Sequence, residues 1–446
     1  MIARIGEVAS RISARFVPDP FIFALLLTLL TMILGVIFTP SSPFDMANHW
    51  MGGFWDLLTF GMQMVLILVT GGVLAQSPPV KRLITMMAGI PRDTKSAVLL
   101  VSLSAMMAAL INWGLGLIVG ALLARETAKS LKLRGIAHHY PLIGAAGYTG
   151  LLIWHGGLSG SAPLTVATSD HFLSDLTGVI PVSTTIFGHL NVILVIALLI
   201  AVPLFLRGML PRKKDEWQEF TGEVVQAQPV ADSPADKKTP AKKLEDSSTL
   251  TVVVCVLALG YLIFYFAREG LSGLNLNSMN LLFLFLGFLF FLRPVKYVKA
   301  VNQAVKGTSG IILQFPFYAG IMGMMRQSGL VEVFSNALVN ISNSVTFPVF
   351  AFISAGLVNL FVPSGGGQWA VQGPILINAA QQLGVTSADT VISLAYGDQW
   401  TNMLQPFWAL PLLGITGLKA SQIIGYTAAL MFLVLPLIVL GLILFT

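Results

Sequence analysis

The chain contains the sequence WHGGLSGSAPLTVATSD from Trp154 to Asp170, within its apolar first half. It continues an apolar run that begins near residue 140, yet it carries a histidine, glycines, serines and Pro163. Glycine and proline interrupt helices. Backbone that leaves the helix at membrane depth must line protein or a water-filled cavity, because lipid cannot satisfy free amide groups. The stretch therefore predicts a discontinuous membrane helix.

The composition of the whole chain places this stretch in a membrane protein. Hydrophobic residues make up 55% of the chain and charged residues 10%, and the mean hydropathy is +0.80. This balance is typical of a polytopic helical membrane protein and excludes an ordinary water-soluble fold. The net charge of +6 does not indicate a nucleic-acid partner, because the basic residues lie between apolar runs. The single cysteine, Cys255, gives neither a disulfide framework nor a metal cluster.

The lysines and arginines predict the orientation of the runs, since they concentrate in cytoplasmic loops. The N-terminus is basic and is predicted to be cytoplasmic, and loop 39–57, with no Lys or Arg, is predicted to lie outside. Loops 78–96 and 125–139 are both basic, so run 97–124 begins and ends on the same side. It also looks too short for two spans, which predicts a re-entrant helical hairpin. The C-terminus is predicted to be periplasmic.

The same reasoning in the second half predicts an inverted-topology repeat, an arrangement common in secondary transporters. Each half is predicted to hold one re-entrant hairpin and one discontinuous transmembrane helix, in an all-α polytopic fold. The linker has as many acidic as basic residues and few large apolar groups, so it is predicted to be mobile. The predicted organisation is a first repeat at 1–206 (hairpin about 97–124, broken helix about 140–168), a cytoplasmic linker at 207–248, an extra transmembrane helix at 249–267, and a second repeat at 268–446 (hairpin about 345–384, broken helix about 388–416).

Four interruptions are expected to meet and form a binding site. They are the turn at 112–114, the break opening at Trp154, the turn at 363–368, and a second break opening at Gly397 and reaching Pro406. None contains Lys or Arg, so an anion would be held by amides and hydroxyls, and a short monocarboxylate suits the site better than a dicarboxylate or a phosphate. The predicted substrate-binding residues are His155, Gly157, Ser159, Ser161, Thr165, Ser364, Gly365, Gly366, Gln368, Trp400 and Thr401.

Asp398 is the carboxylate placed deepest in the membrane, where a charge is costly and indicates function. We predict that Asn112, Asp398 and Asn402 serve the coupling ion, which is either H⁺ or a Na⁺ bound at these residues; no other cofactor is expected. The structural alternative for Asp398 is a helix N-cap at the break. His155 is either a proton carrier or a neutral hydrogen-bonding member of the site.

Other functional classes fit less well. Gly157–Gly160 matches the GxSG string of rhomboid-type intramembrane serine proteases, but His171 and His189 do not lie where a base for Ser159 is needed. A transporter of another small carboxylate, such as a C4-dicarboxylate, is the nearer alternative. The chain also contains no P-loop, so it is not expected to drive transport with ATP by itself.

Several strings identify a resemblance to the bacterial short-chain fatty acid transporter family (AtoE type) of the ion transporter superfamily. They are FVPDPF at 16–21, NWG at 112–114, HGGLSGSAP at 155–163, FVPSGGGQW at 361–369 and YGDQWTN at 396–402. The resemblance implies uptake of short-chain fatty acids such as butyrate or acetoacetate with H⁺ or Na⁺ in the bacterial inner membrane. It also implies a homodimer with an elevator-like transport domain. The superfamily's Ser-Asn-Thr hairpin signature is absent, and Asn112 and Ser364 replace it only in part.

Overall fold

Helices form all the regular secondary structure in the described part of the chain, which comprises residues 20–222, 239–360, 362 and 364–446 of a computed structural model. Residues 1–19 and 223–238, together with Phe361 and Pro363, lie outside the described residues. The beginning of the predicted first repeat, the middle of the predicted linker and one residue of the second hairpin turn are therefore not described.

The first half contains a series of long helices followed by a group of short ones. Several begin at prolines or at capped residues; Asp93 and Ser96, for example, form a capping box at the start of one helix. The helices are α1 (Pro20–Phe38), α2 (Pro43–Gly53), α3 (Leu58–Gln76), α4 (Pro78–Ala88), α5 (Thr94–Ile111), α6 (Trp113–Leu133), α7 (Tyr140–Tyr148), α8 (Ser161–Val166), α9 (Ser174–Thr177) and α10 (His189–Gly208).

The second half follows a similar order after one additional long helix, α12. Glycines with positive φ end four of these helices, at Gly270, Gly329, Gly384 and Gly417. The helices are α11 (Pro240–Glu245), α12 (Ser248–Glu269), α13 (Leu276–Phe291), α14 (Pro294–Ala304), α15 (Ser309–Ser328), α16 (Leu330–Ile341), α17 (Phe347–Asn359), α18 (Gly365–Leu383), α19 (Ser387–Thr401), α20 (Pro406–Thr416) and α21 (Ala420–Phe445).

Five helical segments of the described chain are long and apolar enough to cross a membrane by length and composition. Other apolar helices are shorter, in part because the chain breaks them, as in the interrupted segments of each half. The five segments are Leu58–Gln76, Thr94–Ile111, His189–Gly208, Ser248–Gly273 and Ala420–Phe445.

The two halves pack on each other reciprocally. Helices α1 and α2 of the first half contact α15 of the second, and α13 and α14 of the second half contact α3 of the first. Within each half the pattern also repeats, since α3 packs on α6 and α15 packs on α18. The result is a pair of central helices, α3 and α15, that face the interrupted segments of both halves.

Helices α5 and α6 form the first helical hairpin, with its turn at Asn112. The Asn112 side chain accepts a hydrogen bond from the Leu115 amide at 3.0 Å and so caps α6. The arms are 18 and 21 residues long, so the hairpin covers 94–133 and exceeds the predicted 97–124. The polar residues after 124 continue the helix instead of ending it, because Ala, Leu, Lys and Glu are good helix formers. The length argument for re-entry therefore fails, and re-entry stays a prediction.

The chain leaves the α-helix at the first predicted break. After α7 the chain forms two 3₁₀ turns, Thr149–Leu152 and Trp154–Gly156, and resumes as α8 at Ser161. Gly157 lies within this interruption and packs against the first hairpin, where a Cβ atom would overlap with the backbone of Leu110.

The second break lies within the predicted stretch from Gly397 to Pro406 but opens later than predicted. Helix α19 continues through Gly397 and Asp398 to Thr401, and a 3₁₀ turn, Asn402–Leu404, leads to the extended residue Gln405. Pro406 explains this position, because the residue before a proline avoids helical backbone angles. Gly397 instead permits close packing, since a Cβ there would overlap with the Phe352 carbonyl of α17. Asp398 lies inside the helix, so the N-cap alternative for it is wrong.

Part of the predicted mobile linker is docked onto the protein. His138 Nε2 accepts a hydrogen bond from the Phe220 amide at 3.2 Å, and His139 Nδ1 accepts one from the Gln218 amide at 3.1 Å. The Tyr140 amide donates to the Gln218 carbonyl at 2.8 Å, and the buried Phe220 ring packs edge-on against Tyr140. We call residues 217–220 the docked segment. For these residues the prediction of a mobile connector is wrong. The buried His138 and His139 accept hydrogen bonds from amides of the docked segment, and in the sequence both look like ordinary loop histidines.

Candidate functional site

A cavity lies where α3 and α15 face both broken helices and the second hairpin, which is formed by α17 and α18. It has an empty volume of about 710 Å³, its opening included. Most of the wall is apolar, and no lysine or arginine is among the lining residues in the described chain. The lining comprises Met64, Leu68, Trp113, Leu151, Trp154, Ser161, Gly310, Ile311, Gln314, Phe315, Ser364, Gly365, Gly366, Asp398, Asn402 and Trp408.

Asp398 and His155 form a buried pair at this cavity. His155 Nδ1 lies 2.7 Å from Asp398 Oδ2, and the two side chains are 0% and 1% exposed. Asp398 lies near the C-terminal end of α19 and lines the cavity. His155 lies on the first broken helix and does not itself line the cavity. The pair joins the two broken helices, one from each half of the chain.

The hydrogen bonds of His155 define its protonation state. The Ala162 backbone N–H, which is always a donor, lies 3.1 Å from His155 Nε2, so Nε2 accepts. The proton of the ring is therefore on Nδ1, which donates to the Asp398 carboxylate. The ring also stacks on Trp154 with 4.4 Å between centroids, and its backbone amide donates to Gln399 Oε1 at 3.0 Å. His155 is thus held as a neutral donor to Asp398.

The start of α18 forms another part of the wall. Ser364 caps this helix by accepting a hydrogen bond from the Gly367 amide at 3.2 Å. Gly365 and Gly366 line the cavity in the first turn, where helix amides are free and the helix dipole is positive. A Cβ on Gly365 would lie 2.7 Å from His155 Cε1 and 3.2 Å from Asp398 Oδ2. Glycine at 365 therefore lets backbone amides approach the Asp398–His155 pair.

Asn359, at the end of α17, lies within hydrogen-bond distance of three polar groups at the C-terminal end of α19 and in the turn that follows it. Its Nδ2 lies 2.6, 3.0 and 2.9 Å from the Asp398 carbonyl, Thr401 Oγ1 and Asn402 Oδ1, and its two N–H groups are shared among these three acceptors. Sequence reasoning missed Asn359, although a signal was present, since it is a polar residue in an apolar hairpin arm just before the turn. Thr401 also donates to the Gly356 carbonyl at 2.9 Å, so it ties α19 to α17 and does not line the cavity.

Six of the predicted site residues line the cavity, and His155 contacts it through Asp398. The others have structural partners. Three of them join the first hairpin turn to its neighbours: Ser159 Oγ accepts from the Trp113 amide at 2.9 Å, Asn112 Nδ2 donates to the Ile67 carbonyl at 3.1 Å, and Gly157 packs on Leu110. The predicted residues on the wall are Ser161, Ser364, Gly365, Gly366, Asp398 and Asn402.

The remaining predicted residues bond within or between helices. Thr165 Oγ1 donates back to the Ser161 carbonyl at 2.6 Å, and Gln368 Nε2 donates to the Ala355 carbonyl at 2.8 Å. Trp400 Nε1 donates to the Met431 carbonyl of α21 at 2.8 Å. None of these three residues lines the cavity, and neither does Asn112. The residues predicted to serve the coupling ion, Asn112, Asp398 and Asn402, are therefore not all brought together at the cavity.

Sequence reasoning also missed the wall formed by α3 and α15. Met64 and Leu68 on α3, and Ile311 and Phe315 on α15, are ordinary membrane-helix residues with nothing in their pattern to indicate a site. Gln314 is the polar member of this wall, and a glutamine within an apolar helix was the signal available for it.

Apolar helices, a helical hairpin in each half and two interrupted helices around one cavity define a multi-pass membrane protein of the transporter type. A family model described as short chain fatty acid transporter matches residues 1–445. The chain belongs to the short-chain fatty acid transporter family, which confirms the resemblance seen in its sequence.

Two curated relatives and one solved structure are similar to the chain. A protein of Escherichia coli strain K12, provisionally named a short-chain fatty acid transporter, is 42% identical over 455 residues and covers 100% of both chains. A Haemophilus influenzae protein with the same provisional name is 39% identical over 450 residues, covering 99% of each. The fold is similar to that of the Alcanivorax borkumensis YdaH transporter, with a TM-score of 0.56, 15% identity, and 95% of this chain and 98% of that chain covered. At that identity the structural likeness concerns the fold alone.

Proposed function

We propose that the chain is a symporter that takes up short-chain fatty acids, such as butyrate or acetoacetate, together with H⁺. The observation that carries this proposal is the Asp398–His155 pair beside a largely apolar cavity whose described lining has no lysine or arginine. An apolar wall suits a short aliphatic chain. The absence of cationic side chains from the described lining disfavours a C4-dicarboxylate, which usually recruits Arg or Lys.

The coupling ion follows from charge. A fatty acid carboxylate placed beside the Asp398 carboxylate would be repelled strongly in a low-dielectric site unless a proton enters with it. His155 is not suited to take that proton, because Nε2 already accepts from the Ala162 amide. We therefore assign the proton to Asp398, so that the loaded site carries one acid and one carboxylate. Na⁺ is the weaker alternative, because Asn112 bonds to the Ile67 carbonyl and is not among the described residues that line the cavity with Asp398 and Asn402.

The serine protease alternative receives no support from the hydrogen bonds of Ser159. Its hydroxyl oxygen accepts from the Trp113 amide, and no histidine bonds to it in the described residues. His171 and His189 bond instead to the carbonyls of Gly178 and Phe445. Ser159 thus has a structural role at the hairpin turn.

The movement we propose is elevator-like alternating access. The two hairpins and two broken helices would form the moving unit. Helices α3 and α15, with the helices of the opposite half that pack on each of them, would form a static unit in a homodimer. The reciprocal packing of the halves supports an inverted repeat. In this proposal the protein lies in the bacterial inner membrane, with a cytoplasmic N-terminus and linker and a periplasmic C-terminus.

Uptake of labelled butyrate into proteoliposomes, under an imposed pH gradient or an imposed Na⁺ gradient, tests the function and the ion. We expect an inward H⁺ gradient to drive accumulation and a Na⁺ gradient to have no effect. Asp398→Asn should abolish the H⁺-driven accumulation, whereas Asp389→Asn, the same change near the start of α19, should leave it intact. Accumulation driven by Na⁺ alone would reject H⁺ coupling, and no uptake of any short-chain acid by the wild-type protein would reject the function.

A further inference from the structure

The wall formed by α15 contains a fixed hydrogen-bond donor. Gln314 lines the cavity and is 6% exposed, and its neighbours on that wall, Gly310, Ile311 and Phe315, offer no polar side-chain atom. The Tyr318 hydroxyl, one helical turn later and fully buried, donates to Gln314 Oε1 at 3.2 Å. Because Tyr318 holds the carbonyl oxygen of the amide, the Nε2 group is directed away from it.

The Nε2 group of Gln314 has no partner among the described residues. This nitrogen is also not fully enclosed by protein atoms, so it remains open to the cavity. A buried donor without an acceptor is unfavourable, and this one faces a largely apolar space. A bound molecule that brings an acceptor would therefore be favoured over one that does not.

Tyr318 places Gln314 relative to the first turn of α18. A Cβ on Gly367 would lie 2.8 Å from Tyr318 Cε2, so the tyrosine ring packs on the first turn of α18. Gln314 thus lies beside the end of the cavity where Gly365 and Gly366 expose their amides. An acid whose carboxyl group binds at those amides would bring the carbons next to its carboxyl group close to Gln314.

We propose that Gln314 is a specificity-determining residue that donates a hydrogen bond to an oxygen on carbon two or three of the transported acid. This inference rests on the proposed function and specifies its substrate class. Oxo acids and hydroxy acids satisfy the amide, whereas the parent fatty acids leave it unpaired. Tyr318 is a positioning residue, because its hydroxyl fixes the orientation of the amide and does not touch the acid.

The test compares uptake of 3-oxobutyrate, 2-oxobutyrate and butyrate by Gln314→Met, which keeps the length of the side chain and removes the donor. We expect the ratio of Vmax/KM for the better oxo acid to that for butyrate to fall by about 3- to 10-fold, the usual range for one neutral hydrogen bond. The ratio between the two acids, and not the absolute uptake of butyrate, is the readout, because Gln314 lines the cavity that binds both acids. Gln76→Met, a substitution on α3 at a glutamine outside the cavity lining, is the matched control and should leave the ratio unchanged.

Tyr318→Phe provides a second variant that keeps Gln314 in place. Loss of the hydroxyl frees the amide to rotate, so the same ratio should fall, by less than in Gln314→Met. An unchanged ratio in an active Gln314→Met protein would overturn the inference. If Gln314→Met does not fold, an unchanged ratio in Tyr318→Phe has the same meaning. Failure of the wild-type protein to take up any of the three acids would instead reject the proposed function.

Discussion

His155 acts on Asp398 through one defined ring nitrogen. The Nδ1–H group donates to a carboxylate, and a hydrogen bond to a charged group contributes more than a neutral one. The other nitrogen is occupied by the Ala162 amide, so a second proton on the ring would place two donors against each other. The site is therefore one carboxylate held by one neutral imidazole.

Replacing His155 should weaken transport without changing its dependence on pH. His155→Leu removes the donor to Asp398, and we expect uptake of butyrate to fall by at least about tenfold. His155→Asn keeps an N–H group near the position of Nδ1 and should recover part of the activity. The measurement is proteoliposome uptake across a pH series. A pH profile that vanishes in an active His155→Asn protein would make His155, and not Asp398, the proton carrier.

Gly365 should tolerate no side chain. A Cβ there would lie 2.7 Å from His155 Cε1 and 2.8 Å from Trp154 Cη2, in a wall where both rings are buried and stacked. We expect Gly365→Ala to lower uptake by more than about tenfold, since displacement at a site is costly even when small. Gly414→Ala is the control, because nothing lies within 4 Å of a Cβ at 414. Equal uptake by both variants would remove Gly365 from the site.

The elements that contribute polar residues to the site were predictable from the sequence, whereas the apolar wall was not. Glycine, proline and serine inside apolar runs are costly in lipid, so the hairpin turns and the first broken helix were visible without a structure. The second break was placed too early, because Gly397 looks like a helix breaker and is instead a packing residue against α17. The contribution of α3 and α15 to the cavity could not be predicted. Their lining residues Met64, Leu68 and Ile311 are apolar, as are the residues of any lipid-facing or core helix.

The docked segment was unpredictable for a related reason. His138 and His139 look like surface loop residues, and only the fold shows that both side chains are buried. His139 Nε2 lies 2.8 Å from the Tyr426 hydroxyl of α21, while Nδ1 accepts from Gln218. A neutral imidazole can make both bonds, with Nε2 donating and Nδ1 accepting, whereas a protonated one cannot accept.

The stability supplied by His139 should decrease in acid. Burial, with a smaller effect of neighbouring His138, lowers the pKa of His139 from 6.5 to about 4. The unfolded chain therefore binds a proton at a higher pH than the folded protein does, so this stability is complete above about pH 6.5 and is lost as the pH falls toward 4. The measurement is the Tm in detergent micelles across this range. The Tm difference between wild type and His139→Asn should be largest near neutral pH and should shrink in acid.

His49→Asn provides the control for this comparison. His49 lies on α2 and contacts Gln327 at an exposed site, far from the docked segment in the chain. The Tm difference between His49→Asn and wild type should not shrink from neutral pH to acid in the way expected for His139→Asn. A Tm difference for His139→Asn that stays constant from neutral pH to acid would mean that the docked segment does not depend on a neutral His139.

At the scale of the whole molecule, the cavity is built by contacts between two sets of helices. One set contains α3 and α15 with the helices from the opposite halves that pack on them, and the other contains the hairpins and broken helices. Contacts between the sets are accordingly the ones that an elevator-like movement must break. The Leu276 amide of α13 donates to Thr168 Oγ1 beside the first broken helix at 3.2 Å, and this contact joins the two sets away from the cavity lining.

A reversible cross-link at this contact tests the movement. In a background with Cys255, the single native cysteine, changed to Ala, cysteines at Thr168 and Leu276 can be bridged by Hg²⁺. We expect the bridge to stop butyrate uptake nearly completely and a thiol reagent to restore it, because the two sets can no longer move past each other. Cysteines at Gln63 and Asn277, which hydrogen-bond at 2.7 Å within the static set, should form a bridge that leaves uptake unchanged. Full uptake by the protein bridged between 168 and 276 would show that the acid crosses without relative movement of the two sets, which would replace the elevator with a local gate at the hairpin turns.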